Sequence, residues 1–288
     1  MEGSVDAQGV PTSSGHALRP QTLLLALFGD HVLGRGVAVA TGGVIAVLNR
    51  LGVGEHATRA AVTRMTRRGL LRPVRRGRQV FLALAPRGVA VLEDGLRRLE
   101  AEIVDRAWDG RWTLLAFSVP ETRRADRHAL RTHLGWAGFA PLRSGLWISP
   151  RGTDVSRVLS ELDLLDHAEV FRAEATLWTD PVRIAREAWD LPAIAAGHQG
   201  FLDRWSGEYS GELDDLSRRT RITAEWLLLI RQDPRLPMAL LPPTWPGIRA
   251  QELFRTRQSQ LAGAASEPAA ALLTPIPYDE ARHPSANV

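Results

Sequence analysis

The sequence predicts an α+β chain with an N-terminal winged helix-turn-helix, a middle ferredoxin-like domain and a small helical C-terminal domain. Three observations lead there. An amphipathic stripe ending at Gly69 runs into a basic hairpin. Between Trp112 and Leu177 strand-like and helix-like patterns alternate, and from Pro181 onward the patterning is helical.

The first 17 residues, rich in Gly and Ser, read as a disordered arm. Residues 18–88 form the winged-helix unit. Gln21 to Phe28 and Gly42 to Leu51 are apolar-periodic segments separated by a Gly-rich stretch, and they suit two supporting helices. In the third helix, Thr58, Ala61, Val62 and Met65 share one face. Glu55, His56, Arg59, Thr63, Arg64 and Arg67 fall on the others. Arg72 to Val74, a turn of Arg75, Arg76 and Gly77, and Arg78 to Ala85 make a hairpin with a cationic tip.

Residues 89–107 read as a connecting helix with Val89, Leu92, Leu96, Leu99 and Ile103 on its apolar side, able to pair with its copy in a dimer. Residues 108–180 read as strand (Trp112 to Val119), helix (Arg123 to Trp136), strand (Phe139 to Ser149), helix (Asp154 to Leu165) and strand (Ala168 to Leu177). Such domains pair through their sheets, which suits dimerisation. Residues 181–262 hold helical patterns over Arg183 to Trp189, Ala193 to Trp205, Leu213 to Ile230 and Gln251 to Leu261, with a proline-rich loop before the last. Residues 263–288, rich in Ala, Pro and Ser, read as a disordered tail.

Three helices and a basic wing are built to lay the third helix in the DNA major groove while the wing meets phosphates. On that reading the helix from Glu55 to Arg68 lies in one major-groove half-site with His56, Arg59, Thr63 and Arg64 nearest base edges, and Arg67, Arg75, Arg76 and Arg78 meet phosphates. Between Arg59 and Arg78 there are eight arginines and no carboxylate. Arginine serves both tasks because its planar fork donates in pairs to guanine or phosphate oxygens.

All 36 basic residues are arginines, which removes Walker-type phosphate loops, pyridoxal Schiff bases and lysine nucleophiles. The absence of cysteine removes thiolate catalysis, disulfides and cysteine-ligated metal, and fits a reducing cytoplasm. No HExxH or GxSxG pattern occurs. The group Asp163, Asp166, His167 and Glu169 reads as a charged helix end in water. No cofactor and no metal are expected, nor a secretory signal or membrane span. Nine tryptophans serve mostly as core anchors, with Trp205 and Trp245 as candidates to hold an aromatic or adenine ring.

The chain resembles the PaaX-like transcriptional repressors, regulators of phenylacetate and related aromatic catabolism. The resemblance lies in LLLALFGD (Leu23 to Asp30), RAAVTRM (Arg59 to Met65) before Gly69-Leu70-Leu71, and WDGRW (Trp108 to Trp112). It continues in LGWAGFAPL (Leu134 to Leu142), GLWISP (Gly145 to Pro150) and LPPTWPG (Leu241 to Gly247), so it spans roughly residues 18 to 262. It implies a homodimeric, DNA-binding repressor that an aryl-coenzyme A thioester, typically phenylacetyl-coenzyme A, releases from a palindromic operator. The effector-binding residues stay unassigned. The wing departs from the family pattern, with Gln79-Val80-Phe81-Leu82 where a tyrosine or serine is usual.

Two other function classes fit parts of the pattern less well. A winged helix can serve as a protein-interaction module, but a basic third helix argues for DNA. The middle domain also resembles the small nucleases of CRISPR adaptation, whose metal needs an aspartate where this chain has Phe117-Ser118-Val119-Pro120, with Glu121 beyond.

Overall fold

A computed structural model describes residues 18–207 and 213–279. The expected N-terminal arm therefore lies outside the described residues. Helix α1 (Pro20–His31), strand β1 (Val37–Ala40), helix α2 (Thr41–Arg50), helix α3 (Glu55–Arg67) and the hairpin β2 (Leu71–Arg76) and β3 (Gln79–Leu84) make the winged-helix unit. Helix α4 (Pro86–Glu100) leads to a second sheet unit of β4 (Arg111–Phe117), α5 (Arg124–Trp136), β5 (Ala140–Arg143), β6 (Leu146–Ser149), α6 (Ser156–Glu161) and β7 (Ala168–Glu174). Five helices follow: α7 (Pro181–Ala188), α8 (Leu191–Trp205), α9 (Asp215–Gln232), α10 (Gly247–Ala264) and α11 (Ser266–Leu273). Strand β8 (Ile276–Pro277) closes the described chain.

The second sheet is antiparallel in the order β5-β6-β4-β7 and agrees with the ferredoxin-like expectation. One strand of the sequence reading is really two. Gly145, at φ 72°, turns the segment from Phe139 to Ser149 into the hairpin β5-β6, which a continuous apolar pattern conceals. The expected helix from Asp154 to Leu165 shortens to α6 and a separate 3-10 turn at Leu165–His167.

In the first sheet the order is β2-β3-β1-β8, and two of its four strands have no clear pattern in the sequence. β1 is four residues long and follows two glycines in the left-handed region, Gly34 (φ 71°) and Gly36 (φ 60°), so it passes for a loop. β8 comes from the segment expected to be a disordered tail. Residues 263 to 279 instead finish α10, form α11 and add β8 to β1 with Ala38 opposite Ile276. Ala269 and Leu273 of α11 and Ala265 before it are buried in the winged-helix core, and this burial outweighs a composition that reads as loose.

The C-terminal helices belong to two cores at once. One joins Leu24, Phe28, Leu48, Ala61 and Met65 to Leu216 and Ala224 of α9. The other joins Trp112 and Ile148 of the second sheet to Ile222, Trp226 and Ile230, again of α9, and to Phe201 and Phe254. Helix α9 is therefore a rod shared between the winged helix and the second sheet unit. Its start is capped by Asp214, whose Oδ1 accepts from the Ser217 amide at 2.8 Å, and Arg50 of α2 pairs with the other oxygen of the same carboxylate.

At its middle α9 meets the end of α1. Asp30 is 8% exposed at its side chain and accepts from Thr223 Oγ1 at 3.1 Å, Gln258 Nε2 at 3.3 Å and Arg219 Nη2 at 3.4 Å. Burial pushes the Asp30 carboxyl up, against the opposing pull of Arg219 and Thr223. Next to it, burial with Arg219 and Arg35 nearby pushes His31 down to about 4, and its Nε2 has no hydrogen-bond partner among the described residues.

The seat of α11 on α2 depends on Gly43, where an added Cβ would lie 2.0 Å from the Leu272 carbonyl oxygen. Gly43→Ala should destabilise the protein by about 1–3 kcal/mol despite its better helix propensity, because backbone must move. A thermal melt that stays level or rises would show that α11 does not pack there. His31 provides a second test. It is neutral in the fold and titrates near 6.5 when unfolded, so its contribution is full above that pH and is lost as pH falls toward about 4. Asp30, with its pKa raised, acts in the opposite direction, so the contrast must be with a variant that keeps Asp30. Between pH 7 and pH 5 the wild type should lose up to about 2 kcal/mol more than His31→Gln in urea unfolding. Equal losses would mean that the imidazole is not held neutral.

Candidate nucleic-acid interface

Helix α3 begins without a side-chain cap at Gly54 and ends in a Schellman turn. The Leu70 amide donates to the Met65 carbonyl and the Gly69 amide to the Thr66 carbonyl, each at 2.9 Å, with Gly69 at φ 68°. Thr58, Ala61 and Met65 are buried, while Val62, expected on the same face, is half-buried. This fixes which side faces out. Glu55, His56, Arg59, Thr63, Arg64 and Arg67 are all exposed, as are Arg75, Arg76 and Arg78.

Not every outward group is free. Arg59 Nε donates to Glu55 Oε1 at 2.7 Å, and the Thr63 hydroxyl donates to the Arg59 carbonyl at 2.9 Å. An exposed pair of this spacing is worth about 0.3–0.5 kcal/mol, so Arg59 can leave Glu55 for a phosphate at small cost.

The hairpin tip differs from the sequence reading. Arg75 and Arg76 lie within β2, opposite Val80 and Gln79, and the turn is Gly77-Arg78 with Gly77 at φ 58°. A two-residue hairpin needs a left-handed residue there, and glycine meets that need. The wing is anchored from behind. Thr41 Oγ1 donates to the Val80 carbonyl at 2.8 Å, and Arg72 Nη1 donates to the Tyr278 hydroxyl at 3.2 Å.

Between α3 and the wing runs an open groove of about 770 Å³. Arg59, Thr63, Thr66 and Arg67 of α3 line it together with Pro73, Gln79 and Val80 of the wing and with Thr274. Thr66 and Gln79 do not stand out in the sequence, since neither carries charge, and only the pairing of Gln79 with Arg76 brings it to the groove. Arg68, which the helical spacing did not single out, is exposed one residue beyond α3.

The tryptophans expected to be ligand candidates belong to the core. Trp205 is buried and donates from Nε1 to Glu225 Oε2 at 2.9 Å, and buried Trp245 packs edge-on against His198. Exposed instead are Trp136 and Trp178. Among the described residues no three His, Cys, Asp or Glu side chains gather as a metal site, and Glu121, beyond the end of β4, pairs with Arg127 at 3.0 Å. No helix among the described residues is long and apolar enough to cross a membrane.

Comparison with known proteins gives a consistent picture. Residues 19–88 match the family model of the PaaX-like protein, 105–185 that of the PaaX protein central Cas2-like domain, and 189–271 that of the PaaX-like protein C-terminal domain. The chain is 29% identical over 262 residues to a protein named transcriptional repressor PaaX from Escherichia coli, covering 85% of this chain and 81% of that one. Among solved structures, the uncharacterized protein Rv0674 from Mycobacterium tuberculosis superposes with a TM-score of 0.61 at 24% identity, over 89% of this chain and 99% of that one, and so shares its fold.

Proposed function

The chain belongs to the PaaX-like family, with models for all three of its parts matched in order, and from that premise we propose that it is a DNA-binding transcriptional repressor acting as a homodimer in the cytoplasm. The observation that carries the reading is the run of exposed arginines on α3 and the wing, of which Arg59 and Arg67 line the groove between the two elements. Helix α3 enters a major-groove half-site with His56, Arg59, Thr63 and Arg64 nearest base edges, Glu55 positions Arg59, and Arg67, Arg75, Arg76 and Arg78 contact phosphates.

A second copy supplies the other half-site of a palindrome. Support for pairing comes from β7, an edge strand whose Val170 and Phe171 are both exposed on opposite faces. The effector is an aryl-coenzyme A thioester such as phenylacetyl-coenzyme A, which weakens the fit to both half-sites together. A coupling of about 3 kcal/mol would lower operator affinity by over a hundredfold.

The direct test is selection of genomic fragments by purified protein with and without phenylacetyl-coenzyme A. Recovery of a palindromic fragment that is lost with the thioester is the expected result, and failure to recover DNA would turn the reading toward a protein-interaction module. On a recovered fragment, Arg64→Ala should cost about 1–3 kcal/mol and relax preference at one base position. Arg76→Ala with Arg78→Ala should instead weaken all fragments alike and flatten the dependence of log K on log salt by about 0.9 for each phosphate no longer neutralised. Salt-insensitive binding would refute phosphate recognition by the wing.

A further inference from the structure

Away from the α3 groove, four arginines converge where three parts of the chain meet. Arg98 comes from α4, Arg151 from the turn after β6, Arg231 from the last turn of α9, and Arg235 from the loop after it. They line a cleft of about 250 Å³, with Trp136 at the end of α5 as its aromatic wall. Gathering like charges is costly unless something offsets their repulsion. Arg235 is half-buried and its pKa is lowered by burial and by the neighbouring charges of Arg151 and Arg98, while Asp233 and Asp94 oppose that fall.

The nearby carboxylates are already committed. Asp94 pairs with Arg98 at 2.7 Å and Arg97 at 3.5 Å. Asp233 bonds buried His198 through Oδ2 at 2.7 Å and the Arg235 amide through Oδ1 at 2.6 Å. Arg151 and Arg231 have no ion-pair partner among the described residues, and Arg231 lies 5.7 Å from the centre of the Trp136 ring. Trp136 itself is 53% exposed.

Arg235 is held in place by its backbone. It sits at φ 55°, a left-handed conformation that costs a non-glycine residue energy, and its Nη2 donates to the Arg98 carbonyl at 2.6 Å. Across the cleft, Gly138 at φ 84° leaves only 3.2 Å between a virtual Cβ and the Pro234 carbonyl oxygen. The cleft floor is therefore a direct contact between the second sheet unit and the end of α9.

We propose that this cleft binds the phosphate-bearing end of a nucleotide, with Arg98, Arg151 and Arg235 taking the phosphates and Trp136 with Arg231 taking the purine ring. Guanidinium forks match phosphate oxygens in pairs, and an exposed indole offers a face for stacking. The cleft falls just short of the usual range for a whole ligand, so the rest of the molecule extends beyond it. This deepens the effector reading and rests on it for the ligand class, since a coenzyme A thioester ends in a phosphorylated adenosine diphosphate.

The test uses the full-length protein, tryptophan fluorescence and calorimetry, with coenzyme A, ADP and inorganic phosphate as probes. Coenzyme A and ADP should bind and change Trp136 emission, and the change should be absent in Trp136→Phe. Arg151→Gln and Arg231→Gln, both at the cleft rim, should weaken binding about tenfold or more, with partial rescue in Arg151→Lys. Coenzyme A binding that is undiminished in these variants would overturn the cleft and leave the effector reading standing. ADP binding that is lost in the variants, with no release of DNA by phenylacetyl-coenzyme A in the wild type, would support the cleft and overturn the effector reading. No binding of either nucleotide to the wild type would overturn the cleft.

Discussion

The architecture depends on one constraint, the docking of α9 across the end of α1. A carboxylate as buried as Asp30 is costly unless its oxygens are met, and here three donors from α9 and α10 reach it. The contact is polar and directional, so it fixes the register of α9 against the winged helix, where apolar packing of Leu216 and Ala224 alone would allow small slides. Removing the carboxylate would strand Arg219, whose side chain is only 13% exposed, without the charge it pairs with.

From that register the long-range geometry follows. Eighteen residues of helix reach about 27 Å, enough to carry one rod from the winged-helix core into the core of the second sheet unit. Its first turn is tied to α2 through Asp214 and Arg50, and its last turn supplies Arg231 to the arginine cleft. In the proposed repressor, a ligand at the far end would act on the same element that orients the reading head. No chain of small relays is needed, because a helix packed on both sides moves as a unit.

What the residues revealed in advance was whatever repeats with a period. The stripe of Thr58, Ala61 and Met65, the Gly69 stop and the basic hairpin are local features, and α3 and a two-stranded hairpin form there, with the turn moved on to Gly77-Arg78. What stayed hidden depends on distant partners. Strand β1 exists because β3 and β8 lie beside it, and α11 because Gly43 lets it approach α2. Asp30 gains its buried ion-pair partner only because Arg219, nearly two hundred residues later, comes beside it. For the candidate interface, charge and exposure could be read from spacing, but the Glu55–Arg59 pair and the place of Gln79 in the groove could not.

The C-terminal segment thus has two separate holds on the reading head. Through α9 it sets where the winged helix sits relative to the second sheet unit, and through α11 and β8 it completes the sheet from which the wing projects. Tyr278 just past β8 reaches Arg72 in β2, so even the hairpin's base is braced from the far end of the chain. The wing carries Arg76 at the end of β2 and Arg78 in the two-residue turn, and its direction is set by the sheet behind it. Arginine fixes the charge of the proposed interface, and the C-terminal helices fix its aim.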